Sequence, residues 1–203
     1  MTKTQLIAKE GYKGTVILVL AVLIFLWWGW HLLIFLSFLG LFLWLFIFRN
    51  PERLASDPFN PILIAPIDGE IVKIYNDNER ICILIDVNWF DVGVLRAPIG
   101  ISNYEVSKIN GFFLRFIQES FKNIFNTKII FSSKQDYHFE MELYPQVFSS
   151  ANIYEKSAFV ANDRMGFMKL GQLMLRFPAQ FLDLKANVGD KIKGGQTLIG
   201  YIK

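Results

Sequence analysis

Few residues in this chain have side chains suited to chemistry, and they are scattered. Asp68 lies in Pro66-Ile67-Asp68-Gly69. A carboxylate there can move a proton or simply close a turn, because Asp-Gly is a strong turn signal. Arg96 has a planar guanidinium that suits phosphodiester oxygens, so a lipid headgroup is one partner and an ion pair with Asp91 is another. Lys169 and Arg176 alternate with apolar neighbours and are expected on the wet side of strands, where they can also face headgroups. His138 is expected on the exposed face of a strand, as a surface residue. Cys82 is the single cysteine, in Ile81-Cys82-Ile83, and packing is its expected role. One cysteine excludes an intrachain disulfide and a multi-cysteine zinc site, and no metal site is expected.

These residues follow a segment of a different kind. From Thr15 to Phe48 there is no Asp, Glu, Lys or Arg, and His31 is the only ionisable side chain. As a helix the run would measure about 50 Å, against a hydrocarbon core of about 30 Å. Two complete spans need roughly 40 residues, more than the run supplies. Trp27, Trp28, Gly29, Trp30 and His31 stand at its middle. Tryptophan favours the interface and glycine permits a turn, so a short helical hairpin dipping into the bilayer is expected. A single tilted span is the alternative. Lys3, Lys9 and Lys13 precede the run, and Arg49 and Arg53 follow it. The positive-inside rule then places both ends in the cytoplasm. The run is too long for the apolar core of a signal peptide, and no small-residue cleavage site follows, so a cleaved leader is not expected. A net charge of +3 suits anionic lipid and gives no argument for nucleic acid.

The expected organisation is therefore a cytoplasmic N-terminus over 1–14, a membrane anchor over 15–48, a linker over 49–61 and a β-rich domain over 62–203. The linker contains Pro51, Pro58 and Pro61. In the domain, 70–75, 81–87 and 92–99 read as strands, with a turn at Asn76-Asp77-Asn78-Glu79. Residues 127–133 and 137–144 read as a hairpin across Lys134-Gln135-Asp136. Tyr137, Phe139, Met141 and Leu143 alternate with His138, Glu140 and Glu142, which suggests one buried and one wet face. Segment 111–126 reads as a short helix or a loop. Two turn regions, 65–71 and 188–198, are similar to those of small lipoyl- or biotinyl-carrier sandwiches. A carrier needs a modifiable lysine at a tight hairpin, and Lys169 sits inside a predicted strand. The similarity is read as a sandwich-like β core.

Several segments, in order, resemble the short bacterial and archaeal type of phosphatidylserine decarboxylase. They are Ile7-Ala8-Lys9-Glu10-Gly11-Tyr12, Phe48-Arg49-Asn50-Pro51-Glu52-Arg53 and Ala65-Pro66-Ile67-Asp68-Gly69-Glu70-Ile71-Val72. Phe90-Asp91-Val92-Gly93-Val94-Leu95-Arg96-Ala97-Pro98-Ile99-Gly100 and Arg164-Met165-Gly166-Phe167-Met168-Lys169-Leu170-Gly171-Gln172 follow, then the Val188–Leu198 turn. The resemblance implies a β domain of that family's type and work on membrane phospholipid. The family converts phosphatidylserine to phosphatidylethanolamine with a pyruvoyl group made from its own chain. A serine after a glycine attacks the preceding carbonyl, the chain breaks, and the resulting ketone forms an imine with the substrate amine. An Asp and a His assist.

Carried over by position, the family's Asp falls on Asp68. Its His, in an Asp-Val-His-Val-Asn-Arg stretch, falls on Gly93. Its Gly-Ser pair falls on Gly171-Gln172. Glutamine has no hydroxyl or thiol for the acyl shift, and glycine moves no proton. Ser149 and Ser150 lie about 20 residues before this pair, too early to stand in. No pyruvoyl cofactor is therefore expected. The first reading is a catalytically degenerate relative in the bacterial inner membrane that binds phospholipid or another membrane protein. The second is an active decarboxylase with an unrecognised cofactor route, and a third is a structural membrane protein.

Overall fold

The computed structural model describes residues 5–53, 61–112, 126–134, 137–146 and 151–203. The chain forms two compact units, Met1–Glu52 and Arg53–Lys203. Residues 54–60 of the expected linker, most of segment 111–126, Gln135-Asp136 of the expected turn, and Ser149-Ser150 lie outside the described residues.

In the first unit, a single turn at Lys9–Gly11 leads into α1 (Tyr12–Trp28), and α2 (His31–Ile47) returns antiparallel to it. The reversal turns on Gly29, whose φ of 69° is left-handed and open to glycine at little cost. At the base, the Ala8 N–H donates to Phe48 O at 2.8 Å and the Asn50 N–H donates to Leu6 O at 2.9 Å. The two ends are thus tied side by side, which is a hairpin and not one continuous tilted helix. Lys9–Trp28 is long and apolar enough to cross a membrane, whereas His31–Ile47 is shorter.

Among its described residues, the second unit is built from β-strands with one single-turn helix, Ala179–Phe181. Its strands are β1 (Ile62–Ile64), β2 (Gly69–Asp77), β3 (Arg80–Val87), β4 (Val94–Arg96), β5 (Tyr104–Ile109), β6 (Lys128–Ser133) and β7 (Glu140–Pro145). Then come β8 (Ala151–Ile153), β9 (Arg164–Met168), β10 (Gly171–Pro178), β11 (Leu182–Leu184), β12 (Lys191–Ile192) and β13 (Leu198–Ile202). A seven-stranded sheet has the order β12-β2-β3-β10-β7-β6-β5. Two smaller sheets, β1-β13-β11 and β4-β9-β8, line the same core. Alternation builds that core: Ile83 and Ile85 of β3, Leu173 and Leu175 of β10, and Met141 and Leu143 of β7 point to one side and are fully buried.

Three expectations need correction. The extended stretch 92–99 supplies only the three residues of β4, whose pairing with β9 is interrupted between Leu95 and Arg96. Pro98 has no N–H with which to continue a ladder. The second face of β7 is not wet, because Glu142 and Tyr144 are buried there among charged partners. Finally, the β2–β3 turn is tighter than the sequence suggests. Only Asn78 and Glu79 lie between the strands, both left-handed at φ 45° and 66°.

Candidate functional site

Asp68 lies in the turn between β1 and β2, at 8% exposure. Its carboxylate is fully engaged. Arg53 Nη2 donates to Oδ2 at 2.7 Å, and Arg53 Nη1 donates to Oδ1. The Gly194 N–H also donates to Oδ1, at 2.8 Å, and Gly194 O accepts from Arg53 Nη1 at 2.8 Å. A two-point guanidinium clasp and a backbone donor thus occupy both carboxylate oxygens. Arg53 was expected as a cationic flank of the membrane segment; its side chain is instead buried against Asp68. A buried carboxylate needs a buried cation, and the Phe48–Arg53 segment supplies it.

Arg96 joins the same cluster. It is 4% exposed, and its Nη1 donates to Asn162 O at 3.2 Å and Asn162 Oδ1 at 3.1 Å. Asn162 Nδ2 donates in turn to Arg53 O at 2.6 Å. The expected Arg96–Asp91 pair is replaced, since Asp91 Oδ2 accepts from the Asn88 N–H at 2.8 Å. Headgroup contact by Arg96 requires this buried bonding to open. Gly194 reads from sequence only as part of a structural turn, and nothing in the sequence marks Asn162, which adopts a left-handed φ of 69° that asparagine tolerates better than most residues.

Gln172 lies at one end of the seven-stranded sheet, in β10, whereas Gly93 immediately precedes β4. Register aligns Glu70, Asp86, Gln172 and Tyr144 across four neighbouring strands, β2, β3, β10 and β7. Asp68 comes two residues before that row. Gln172 Nε2 donates to Asp86 Oδ1 at 3.3 Å. The Gly171–Gln172 peptide therefore begins a strand paired on both sides. A Cβ on Gly171 would stand 2.4 Å from Tyr144 O, so the chain is held tightly there.

Gly93 packs against the end of β9. Its carbonyl accepts from the Met168 N–H at 2.8 Å. A Cβ on Gly93 would lie 2.8 Å from Met168 O and 3.1 Å from two Phe167 ring atoms. No imidazole fits at this position without movement of the backbone. The residues present do not fit a pyruvoyl group: position 172 has no hydroxyl or thiol to generate one, and position 93 has no room for a proton carrier.

Lys169 and Arg176 are not solvated strand residues. Lys169 is 3% exposed, in the short connection between β9 and β10, and its Nζ donates to Asp91 O. Arg176 pairs with Glu142 at 2.6 Å, and Lys128 approaches the same carboxylate at 3.4 Å. Tyr144 Oη donates to Glu142 Oε2 at 2.7 Å. Burial pushes the Glu142 carboxyl up, but the Tyr144 hydroxyl and the Arg176 guanidinium outweigh it, leaving its pKa below 4.5. Burial and the Glu142 charge together raise the Tyr144 phenol. Cys82 is buried beside Leu84, Tyr144 and Met174, and burial raises its thiol pKa above 9.0 despite nearby Arg176. His138 is exposed with φ 34°, just ahead of β7 and not within it. Among the described residues, no three His, Cys, Asp or Glu side chains gather as a metal site.

Comparison with known proteins places this geometry in context. Over residues 41–200 the chain matches the family model described as phosphatidylserine decarboxylase. A phosphatidylserine decarboxylase proenzyme of Carboxydothermus hydrogenoformans is 28% identical, with 100% of each chain covered. One of Amoebophilus asiaticus is 27% identical over 82% of this chain and 78% of its own. A putative archaetidylserine decarboxylase proenzyme of Methanococcoides burtonii is 25% identical over 84% of this chain and 82% of its own. No solved structure matches. The match spans Asp68, Gly93 and Gln172, and the chain belongs to the phosphatidylserine decarboxylase family.

Proposed function

We propose that this chain is a membrane-associated relative of phospholipid metabolism that has lost the pyruvoyl-forming reaction and acts by binding phospholipid or a partner membrane protein. The observation that carries this reading is Gln172, in place of a serine, in a peptide paired on both sides within the seven-stranded sheet. The closed space at Gly93 and the clasp on Asp68 support it, because neither leaves a group free to move a proton. The apolar N-terminal helix, together with the family, supports membrane association.

The proposed location is the bacterial inner membrane, with the β unit on the cytoplasmic face. Lys9 and Lys13 are exposed near the base of the hairpin and provide cationic contacts for anionic headgroups. Intact mass of the detergent-solubilised protein and its sedimentation with vesicles test the proposal. The expected result is one species near 23.5 kDa that favours phosphatidylserine vesicles over phosphatidylcholine vesicles. Two fragments divided between Gly171 and Gln172, the smaller with a blocked N-terminus, would instead establish an active decarboxylase. A single species with no vesicle preference would leave a structural membrane protein.

A further inference from the structure

The hairpin contains more information than membrane association. Read from sequence, it was short of two full spans and expected to dip into the bilayer. The structure divides it differently. The helical stretch Lys9–Trp28 has 20 residues and α2 has 17. At 1.5 Å per residue these are about 30 Å and about 26 Å long. Both fall in the range of single membrane crossings, with little tilt.

The two faces of each helix agree with this. Val16, Ile17, Leu23 and Ile24 of α1 and Phe35 and Phe42 of α2 are all exposed. A helix lying in the headgroup plane needs a polar face, and neither helix has one. The polar side chains inside the run are satisfied by the helices themselves: Thr15 Oγ1 donates to Gly11 O at 2.9 Å, and Ser37 Oγ donates to Leu33 O at 2.7 Å.

Aromatic residues then mark two levels. Near the base, Trp44 Nε1 donates to Gly11 O at 2.9 Å, beside Tyr12. At the tip, Trp27 is 89% exposed, with Trp28 and Trp30 also exposed and their rings 5.2 Å apart. The two groups are separated by fourteen residues of α2, about 21 Å. A shallow dip would bury the tip tryptophans in hydrocarbon, where the indole N–H finds no acceptor, together with the imidazole of His31.

We infer that the hairpin traverses the whole bilayer, and that Trp27, Trp28 and Trp30 anchor its tip in the lipid interface opposite the base, with His31 facing that side. This rests on the membrane reading proposed above. The test uses the full chain expressed in a bacterium, with His31→Cys and Lys9→Cys as separate variants and a membrane-impermeant maleimide applied to spheroplasts. The wild type, whose only thiol is the buried Cys82, gives the background. The expected result is labelling of the two variants from opposite sides, one before permeabilisation and the other only after it. Labelling of both from the same side would overturn the inference. So would a His31→Cys thiol that stays protected until detergent dissolves the membrane. A chain found in the soluble fraction would remove the membrane reading itself, which fractionation reveals before any labelling. For the anchor, the part of the indole fluorescence lost on combined alanine substitution of the three tip tryptophans should be quenched by a headgroup-level lipid quencher and not by one at the bilayer centre. Quenching by the central one would overturn the anchoring role.

Discussion

Arg53 grips Asp68 at both carboxylate oxygens, with Nη2 2.7 Å from Oδ2. Asp68 is thereby the centre of a buried ion pair that also ties the Gly194 turn to the start of β2. Replacing one partner leaves the other charged and unpaired. Asp68→Asn is expected to destabilise the fold by about 3–5 kcal/mol, whereas replacing both Arg53 and Asp68 with apolar residues should recover much of that loss. Urea unfolding of the detergent-solubilised variants measures both. An Asp68→Asn variant as stable as the wild type would show that the clasp contributes nothing.

On the proposed reading, a serine placed at position 172 should not bring about processing. In Gln172→Ser the hydroxyl returns, but the peptide remains paired on both sides and Gly93 still has no imidazole. The expected mass spectrum shows one intact chain after prolonged incubation. Spontaneous cleavage of this variant would mean that only one group had been missing.

Gly93→Ala should be destabilising on its own, by about 1–3 kcal/mol, the usual range for overpacking a closed site. The added Cβ meets Met168 O at 2.8 Å. Gly93→His should be worse, since its ring must also displace Phe167. Melting temperatures of the two variants against the wild type give the order.

Stability should fall in acid through Glu142. Its carboxyl titrates below the ordinary 4.5 when folded. The folded state therefore binds fewer protons than the unfolded state near that pH, and the contribution is complete above 4.5. It is lost as the pH falls below 4.5 through the depressed folded value. A denaturation series between pH 6 and pH 3 should show this loss, and Glu142→Gln should flatten it.

The Cys82 thiol should be inert in the folded protein. It is fully buried, and burial raises its pKa above 9.0. A soluble disulfide reagent is expected to react only as fast as the protein unfolds. Rapid stoichiometric reaction under native conditions would contradict the packing of Leu84, Tyr144 and Met174 around it.

Local pattern made part of this legible. A run of β-branched residues located β3, a hairpin reading located β6, period-two alternation located most of β7, and the Trp-Trp-Gly-Trp centre of the apolar run located the reversal at Gly29. Pairings between distant charges were not legible. Arg53 read as a membrane flank because its partner Asp68 is remote in sequence and the turn that joins them includes Gly194. Arg176 read as wet because alternation cannot distinguish a face open to solvent from one closed by Glu142 and Tyr144, and Lys169 because its partner, Asp91 O, is distant in sequence. The lack of room at Gly93 depends on the distant Phe167 and Met168, so only the loss of the imidazole was visible in the sequence.

If the bond between Gly171 and Gln172 stays whole, as proposed, it also changes how the molecule can recover from unfolding. β10 lies between β3 and β7, in the interior of the seven-stranded sheet. In a chain cut at that bond, everything from Gln172 to Lys203 would be a separate peptide. Once released, it would have to find the remainder by diffusion, and recovery would depend on concentration and be prone to aggregation. With the bond whole, β10 is tethered to β9 through two residues, Lys169 and Leu170. Refolding is then a unimolecular search over a short loop, independent of dilution.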